Sequence, residues 1–163
     1  MMRWIATDAL WVTHGALRGG RIATRSVRAL ALASHGEAAS LVFTFHGFVG
    51  DVTGQVGLDL RTSGTSIVSV IWPLMPNAQL AVRVRAPEVV YLWINPIHSE
   101  RIPMPTVGSS YKLSAKIDGD RLHAWIGDTL VWSGWLPLAV RPLRGLVGLR
   151  TDHVAADIAL ACD

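Results

Sequence analysis

The chain has 163 residues, of which 50% are hydrophobic and 17% are charged, and its formal net charge at pH 7 is +3. This length fits one folded unit with a sizeable core, so we predict a single domain over residues 1–163. The basic residues are scattered and follow no zinc-finger or aromatic-basic RNA motif, which argues against nucleic acid as a partner, and no apolar run is long enough for a membrane-spanning helix.

Alternation of apolar and polar residues dominates the first two thirds of the chain and predicts β-strands. Residues 27–33 are compatible with a helical turn, but they run straight into a turn at His35 and Gly36, which favours a strand. The strands predicted in this part cover residues 27–33, 41–45, 56–61, 67–72, 80–85 and 89–94.

The last third has the clearest pattern. Two tight turns, at Asp118-Gly119-Asp120 and Gly127-Asp128, separate strands predicted over residues 111–117, 121–126 and 129–132. Further strands are predicted over residues 146–150 and 154–160. Turns that recur about every 8–12 residues are typical of a sandwich or barrel, so we predict an all-β fold.

Several stretches resemble the concanavalin A-like lectin/glucanase superfamily. Residues 111–128 resemble its paired strands, in which a tyrosine and alternating apolar residues lead into an acidic-glycine turn. Residues 145–151 resemble the following strand, and residues 11–18 are similar to the opening strand of laminin G-like and keto-disaccharide hydrolase relatives. The resemblance implies a two-sheet antiparallel β-sandwich of the concanavalin A-like jelly-roll type, a fold that hosts lectins, glucanases, adhesion modules and virion proteins.

The sequence argues against an enzyme. Retaining glucanases of the resembling superfamily carry acidic residues at alternate positions of one strand, so that two carboxylates face the same way at about 5–5.5 Å. The chain has only three glutamates, Glu37, Glu88 and Glu100, and none has an acidic residue two or four positions away. No Gly-x-Ser-x-Gly motif is present either. A divergent glycoside hydrolase or lyase is the minor alternative.

We predict no cofactor. The chain has no His-x-His, Cys-x-x-Cys or His-Glu-x-x-His motif. Calcium, which binds to loop oxygen atoms, is the alternative, although turn aspartates more often cap their own turns. The candidate loop aspartates are Asp51, Asp118, Asp120, Asp128 and Asp152.

Tryptophan and arginine supply the candidate binding residues. The chain has seven tryptophans, and sugar sites pair an aromatic platform with polar donors and acceptors. On the alternation above, some polar and aromatic side chains point away from the core. If their strands share a sheet, one outer face carries the predicted ligand-binding residues Trp125, His123, Arg83, Arg85, Asp59 and Arg61.

Two functions remain open. The first is a non-catalytic, lectin-like module that binds carbohydrate on this face. The alternative is a structural subunit of a virion or another multi-subunit complex that uses the same face as a protein interface, because Trp and Arg are also enriched at interfaces. Both predict an oligomer or a complex. The sequence lacks a recognisable signal peptide, so we expect a cytoplasmic or complex-associated protein without membrane insertion.

Overall fold

The computed structural model describes residues 2–5, 19–31, 35–87, 89–141 and 143–162. These ranges contain no helix and form strands wherever apolar and polar residues alternate. The strands are β1 (Met2–Ile5), β2 (Gly19–Ala31), β3 (Ala38–Phe48), β4 (Gln55–Thr62), β5 (Ile67–Pro73), β6 (Ala81–Ala86), β7 (Val89–Trp93), β8 (His98–Ser99), β9 (Ser110–Asp118), β10 (Arg121–Ile126), β11 (Thr129–Trp135) and β12 (Leu146–Cys162).

All paired strands are antiparallel, and their order is β7-β6-β5-β4-β12-β3-β9-β10-β11-β8. The long strand β12 lies between β4 and β3 and joins the two halves of this order. One of its edges pairs with β2 along residues 147–159, and β2 in turn pairs with β1. Its other edge pairs first with β4 and then with β3.

The change of partner occurs at His153, where β12 bends. His153 has a φ of 54°, a left-handed conformation that interrupts a regular strand. Gly47, which has a φ of 130°, lies next to the bulge in the facing part of β3. The bend divides the structure into a front sheet, formed by residues 146–152 of β12 with β4, β5, β6 and β7, and a back sheet, formed by residues 154–162 with β3, β9, β10, β11 and β8.

The apolar faces of the two sheets pack against each other. Phe43 of the back sheet is fully buried and meets Trp72 of the front sheet edge-on, with ring centroids 5.3 Å apart. Tyr111 contacts both rings, at 5.6 Å and 5.7 Å. Leu58 and Val82 of the front sheet and Leu113 of the back sheet belong to the same buried cluster. The predicted two-sheet antiparallel sandwich is therefore confirmed.

Most predicted strands are confirmed, with a few differences. Residues 146–150 and 154–160 belong to one strand, because the bend at His153 does not interrupt pairing with β2. The sequence analysis missed β1 and β8, which are too short to show a pattern. The two predicted turns are confirmed, with positive φ at Gly119 and Gly127. Residues 11–18, which resemble an opening strand, lie outside the described residues.

Candidate functional site

A row of polar and aromatic residues crosses the outer face of the front sheet. Asp59 of β4 pairs in register with Ser69 of β5, Ser69 with Arg83 of β6, and Arg83 with Trp93 of β7. Their neighbours along the strands, such as Leu58 and Val82, lie in the core. Because successive side chains in a strand point to opposite faces, the members of this row point away from the core.

The side chain of Arg150 in β12 reaches this row by crossing β4 at a glycine. It pairs in register with Gly57 of β4. A Cβ atom added at Gly57 would lie 3.0 Å from Cγ of Arg150 and 3.1 Å from its Cδ. The missing side chain therefore gives the Arg150 stem room to lie across β4, and close approach of neighbouring atoms is one reason for a glycine inside a strand.

Asp59 and Arg150 form a buried ion pair at the floor of the face. Nε of Arg150 lies 3.1 Å from Oδ1 of Asp59, and the two side chains are 4% and 3% exposed. Ser69 Oγ donates a hydrogen bond of 2.8 Å to the same Oδ1. Among the described residues, Nε and Nη1 of Arg150 have no hydrogen-bond acceptor. A deeply buried guanidinium thus keeps donor capacity that the described part of the fold does not use.

Arg28 of β2 lies directly opposite Arg150 in the strand pairing. Its Nη1 is 3.8 Å from Oδ1 of Asp152, and Gln55 donates a hydrogen bond to the other oxygen of that carboxylate. Burial, followed by the positive charge of Arg150, lowers the pKa of Arg28. Like charges directly opposite each other destabilise a sheet, so this pair is an electrostatic cost within the fold.

Arg83 lies among aromatic rings at the rim. Its Cζ is 4.7 Å from the ring centre of Tyr91 and 5.5 Å from that of Trp93, distances typical of cation–π contacts. The two rings are more than half exposed, with relative exposures of 57% and 56%. Burial and then the charge of Arg150 lower the pKa of Arg83. Arg83 therefore belongs to the same electrostatic cluster as Arg28 and Arg150.

Several of these groups line a cavity of about 330 Å³ on the front sheet, which we call the arginine pocket. Four guanidinium groups and a single carboxylate line it, so its lining carries a formal charge of +3. Its volume lies within the range of small-ligand sites, about 300–1,000 Å³. Its lining residues are Arg28, Leu30, Asp59, Thr62, Ser63, Ile67, Arg83, Arg85, Tyr91 and Arg150.

The structure brings together only half of the predicted site. Asp59, Arg83 and Arg85 line the arginine pocket. Trp125 and His123 belong to β10 of the back sheet, six positions from β6 in the strand order. The expectation that all six residues share one outer face was therefore wrong, because the bend in β12 places β4 and β6 in one sheet and β10 in the other. A role of each residue in ligand binding remains a prediction.

Arg61 is turned into the fold. Its Nε and Nη2 donate hydrogen bonds of 3.1 Å and 3.0 Å to the two carboxylate oxygens of Glu37. Its Nη1 donates to the carbonyl oxygens of Val140 and Arg141, both at 2.8 Å. The alternation of β4 predicts an outward side chain, but Arg61 has a φ of 49°, which breaks the extended geometry on which alternation depends.

Trp125 and His123 form a second, shallower surface. Their rings are stacked with centroids 5.9 Å apart. Trp125 also lines a depression of about 290 Å³ beside Lys116, Ser40 and Ser114. The hydroxyl groups of Ser40 and Ser114 are hydrogen-bonded to each other at 3.1 Å. This back-sheet surface is more open and less charged than the arginine pocket.

The sequence analysis missed Arg28, Arg150, Tyr91 and Trp93. Alternation within β12 does predict that Arg150 points to the opposite side of the sheet from the apolar Leu149. Its connection to Asp59, however, depends on which strands neighbour β12. That information lies in the pairing of residues about 90 positions apart, which one sequence does not reveal.

The described residues were also compared with the requirements of a metal site and of a membrane-spanning helix. Within them, no group of three or more His, Cys, Asp or Glu side chains is arranged to hold a metal ion. Of the five loop aspartates proposed as calcium ligands, Asp120 lies 3.6 Å from Arg141 and Asp152 lies near Arg28 and Gln55. The described part of the chain has no helix with the length and hydropathy that a bilayer crossing requires.

No family model matches the chain, and no curated protein matches its sequence. Solved structures do resemble its fold. The carbohydrate binding module CBM66 from Bacillus subtilis superposes with a TM-score of 0.63 at 16% identity, covering 98% of this chain and 92% of that one. A Bacillus subtilis protein of unknown function with a galectin-like fold gives 0.57 at 11% identity, covering 98% of this chain and 88% of that one. Sheep galectin-11, in a complex with glycerol, gives 0.54 at 6% identity, covering 86% and 98%. At such low identities the likeness shows the fold alone.

Proposed function

We propose that this protein is a non-catalytic, lectin-like module that binds glycans in the arginine pocket of the front sheet. The observation that carries the proposal is the pairing of exposed Tyr91 and Trp93 rings with a cluster of guanidinium groups and one carboxylate. Sugars offer apolar ring faces edged with hydroxyl groups, so a site for them combines aromatic surface with converging polar groups. Similar folds that are named as a carbohydrate binding module and as galectins support this choice.

The chemistry of the pocket supports binding rather than catalysis. Asp59 is the only carboxylate among its described lining residues. Its Oδ1 is engaged by Ser69 and Arg150. A retaining glycosidase of the usual kind needs a second carboxylate at about 5–5.5 Å, one of the two with a raised pKa to act as an acid.

Two surfaces compete for the role of binding site, and paired variants separate them. Arg83→Gln removes a charge at the rim of the arginine pocket, whereas Trp125→Ala removes the aromatic surface of the back sheet. We expect wild-type protein and Trp125→Ala to bind the same glycans on an array. We expect Arg83→Gln to bind them at least tenfold more weakly, the equivalent of about 1.4 kcal/mol.

The reverse result would move the site to the back sheet. Binding that is lost in Trp125→Ala and kept in Arg83→Gln would contradict the assignment to the arginine pocket. Absence of any glycan binding by wild-type protein would contradict the proposed function itself. Urea unfolding of both variants checks that each is folded before its affinity is compared.

A structural subunit of an assembly is the second candidate. It is favoured by large apolar side chains at the surface, among them Leu138, Val107 and Trp135, which are 75%, 69% and 51% exposed. In that case Tyr91 and Trp93 would contact another protein chain, because aromatic residues and Arg are enriched in interfaces.

A further inference from the structure

The arginine pocket has far more positive charge than its own carboxylate balances. Arg28, Arg83, Arg85 and Arg150 line it, and Asp59 is the one acidic residue among the described lining. Asp152 offsets part of the charge from outside the lining, at 3.8 Å from Arg28. Arginine side chains carry a positive charge at neutral pH, so this excess attracts anions.

The burial and the incomplete hydrogen bonding of Arg150 need an explanation. Its side chain is only 4% exposed, and its Nη1 has no hydrogen-bond acceptor among the described residues. A buried charged donor without an acceptor is costly. Arg61, by contrast, is also buried, but its three guanidinium nitrogens all donate to protein oxygens.

Residues on the neighbouring strands keep the Arg150 side chain beside the pocket. Gly57 allows the Arg150 stem to cross β4 towards Asp59 and the pocket. Arg28 is held directly opposite Arg150, although the two charges repel each other. An anion in the pocket would accept hydrogen bonds from Arg150 and reduce the repulsion among the four guanidinium groups.

We infer that the arginine pocket selects anionic glycans, that is, saccharides bearing a carboxylate or sulfate group, and that Arg150 is a principal contact of that group. The inference rests on the proposed function and narrows its ligand class. A planar guanidinium binds a carboxylate or sulfate through two parallel hydrogen bonds, whereas neutral sugars offer only hydroxyl groups. Tyr91 and Trp93 at the rim would contact the apolar face of the sugar ring.

The test compares ligands that share a backbone and differ in charge. Polygalacturonate oligomers carry a carboxylate on each sugar, and their methyl esters have the same backbone without the charge. Dextran sulfate oligomers and unsulfated dextran oligomers provide the same comparison for sulfate. We expect calorimetric titration to show binding of at least one charged ligand, at least tenfold weaker binding of its neutral counterpart, and an affinity that falls as NaCl is added.

Variants of the pocket arginines test whether the selectivity for anionic ligands depends on the pocket. Arg150→Gln should reduce affinity for the charged oligomer at least tenfold. Because Arg150 is buried and this variant could unfold, Arg85→Gln at the same pocket is the second variant, with the same direction of effect expected. Arg101→Gln is the matched control, since it removes one positive charge from an exposed residue outside the pocket lining.

Four results would overturn the inference, and they differ in what they imply for the proposed function. Equal affinity for charged and neutral oligomers would reject anion selectivity but leave glycan recognition intact. Binding of inorganic sulfate without binding of any saccharide would reject both, as would failure of every neutral, carboxylated and sulfated glycan on the array. Equal losses in Arg150→Gln, Arg85→Gln and Arg101→Gln would assign the effect to net charge rather than to this pocket.

Discussion

Arg61 and Arg150 are both buried arginines, but the described fold satisfies them differently. Arg61 joins Glu37 to the carbonyl oxygens of Val140 and Arg141, so it ties β4 to the segment that precedes β12. Arg150 has one ion-pair partner and spare donors beside a cavity. The residue type alone therefore does not show whether an arginine has a structural role or a role in ligand binding. It also does not show whether the side chain points into the fold or away from it.

At this scale we predict that Arg61→Gln is a stability variant. The change leaves a carboxylate and two carbonyl groups without their charged donor, which should lower the free energy of unfolding by roughly 2–4 kcal/mol. Urea unfolding measures the loss, and Arg101→Gln should unfold at the wild-type midpoint because Arg101 is exposed. A midpoint for Arg61→Gln equal to that of wild type would refute the structural role.

At the scale of elements, β4 and β12 position the pocket together. The strands pair in register over Gly57 and Arg150, and the bend at His153 then turns β12 away from β4 towards β3. The arginine pocket exists because one half of β12 stays in the front sheet.

We predict that Gly57→Ala damages both stability and binding. The added Cβ would lie 2.6 Å from the carbonyl oxygen of Val70 and 3.0 Å from Cγ of Arg150, so backbone and side chain must both shift. Overpacking of this kind costs about 1–3 kcal/mol. Urea unfolding and glycan titration provide the two readouts.

Gly64→Ala is the matched control for that prediction. A Cβ at Gly64 would meet no atom within 4 Å, so we expect wild-type stability and affinity. If Gly57→Ala behaved like Gly64→Ala in both measurements, the close packing of Arg150 over β4 would play no part in the site.

At the scale of the whole molecule, the excess positive charge is concentrated in the arginine pocket. The formal net charge of the chain is +3, and the lining of the arginine pocket carries +3 by itself, so the remaining charges cancel. A uniformly basic surface would suggest attraction to polyanions in general. A local excess on one sheet face instead favours recognition of a small anionic group.

The mass of the protein in solution separates the two candidate functions. For a glycan-binding module we expect one or two copies of the 17.7 kDa chain by light scattering, because the exposed Leu138 and Val107 lie in different loops and single apolar side chains are common on soluble proteins. A large assembly that binds no glycan would favour the structural subunit.

Much of the fold could be predicted from the sequence. Period-two patterns, as in β6 and β9, mark strands because alternate side chains must face a core or solvent, and glycines at 119 and 127 mark turns because those positions need positive φ. Half of the six predicted binding residues lie in the candidate site, since Asp59, Arg83 and Arg85 are polar positions that alternate with apolar ones in their strands.

The sequence by itself determined the strands, the turns and which face of most strands is polar, because these depend on neighbours one or two residues away. Only the tertiary structure decided which polar faces adjoin. It joined Arg28 and Arg150 to Asp59 through strand pairing, and it placed Trp125 in the other sheet. The physical reason is that strand order depends on contacts between residues far apart in the chain, and that two local departures from regular geometry, at Arg61 and His153, redirect what alternation predicts.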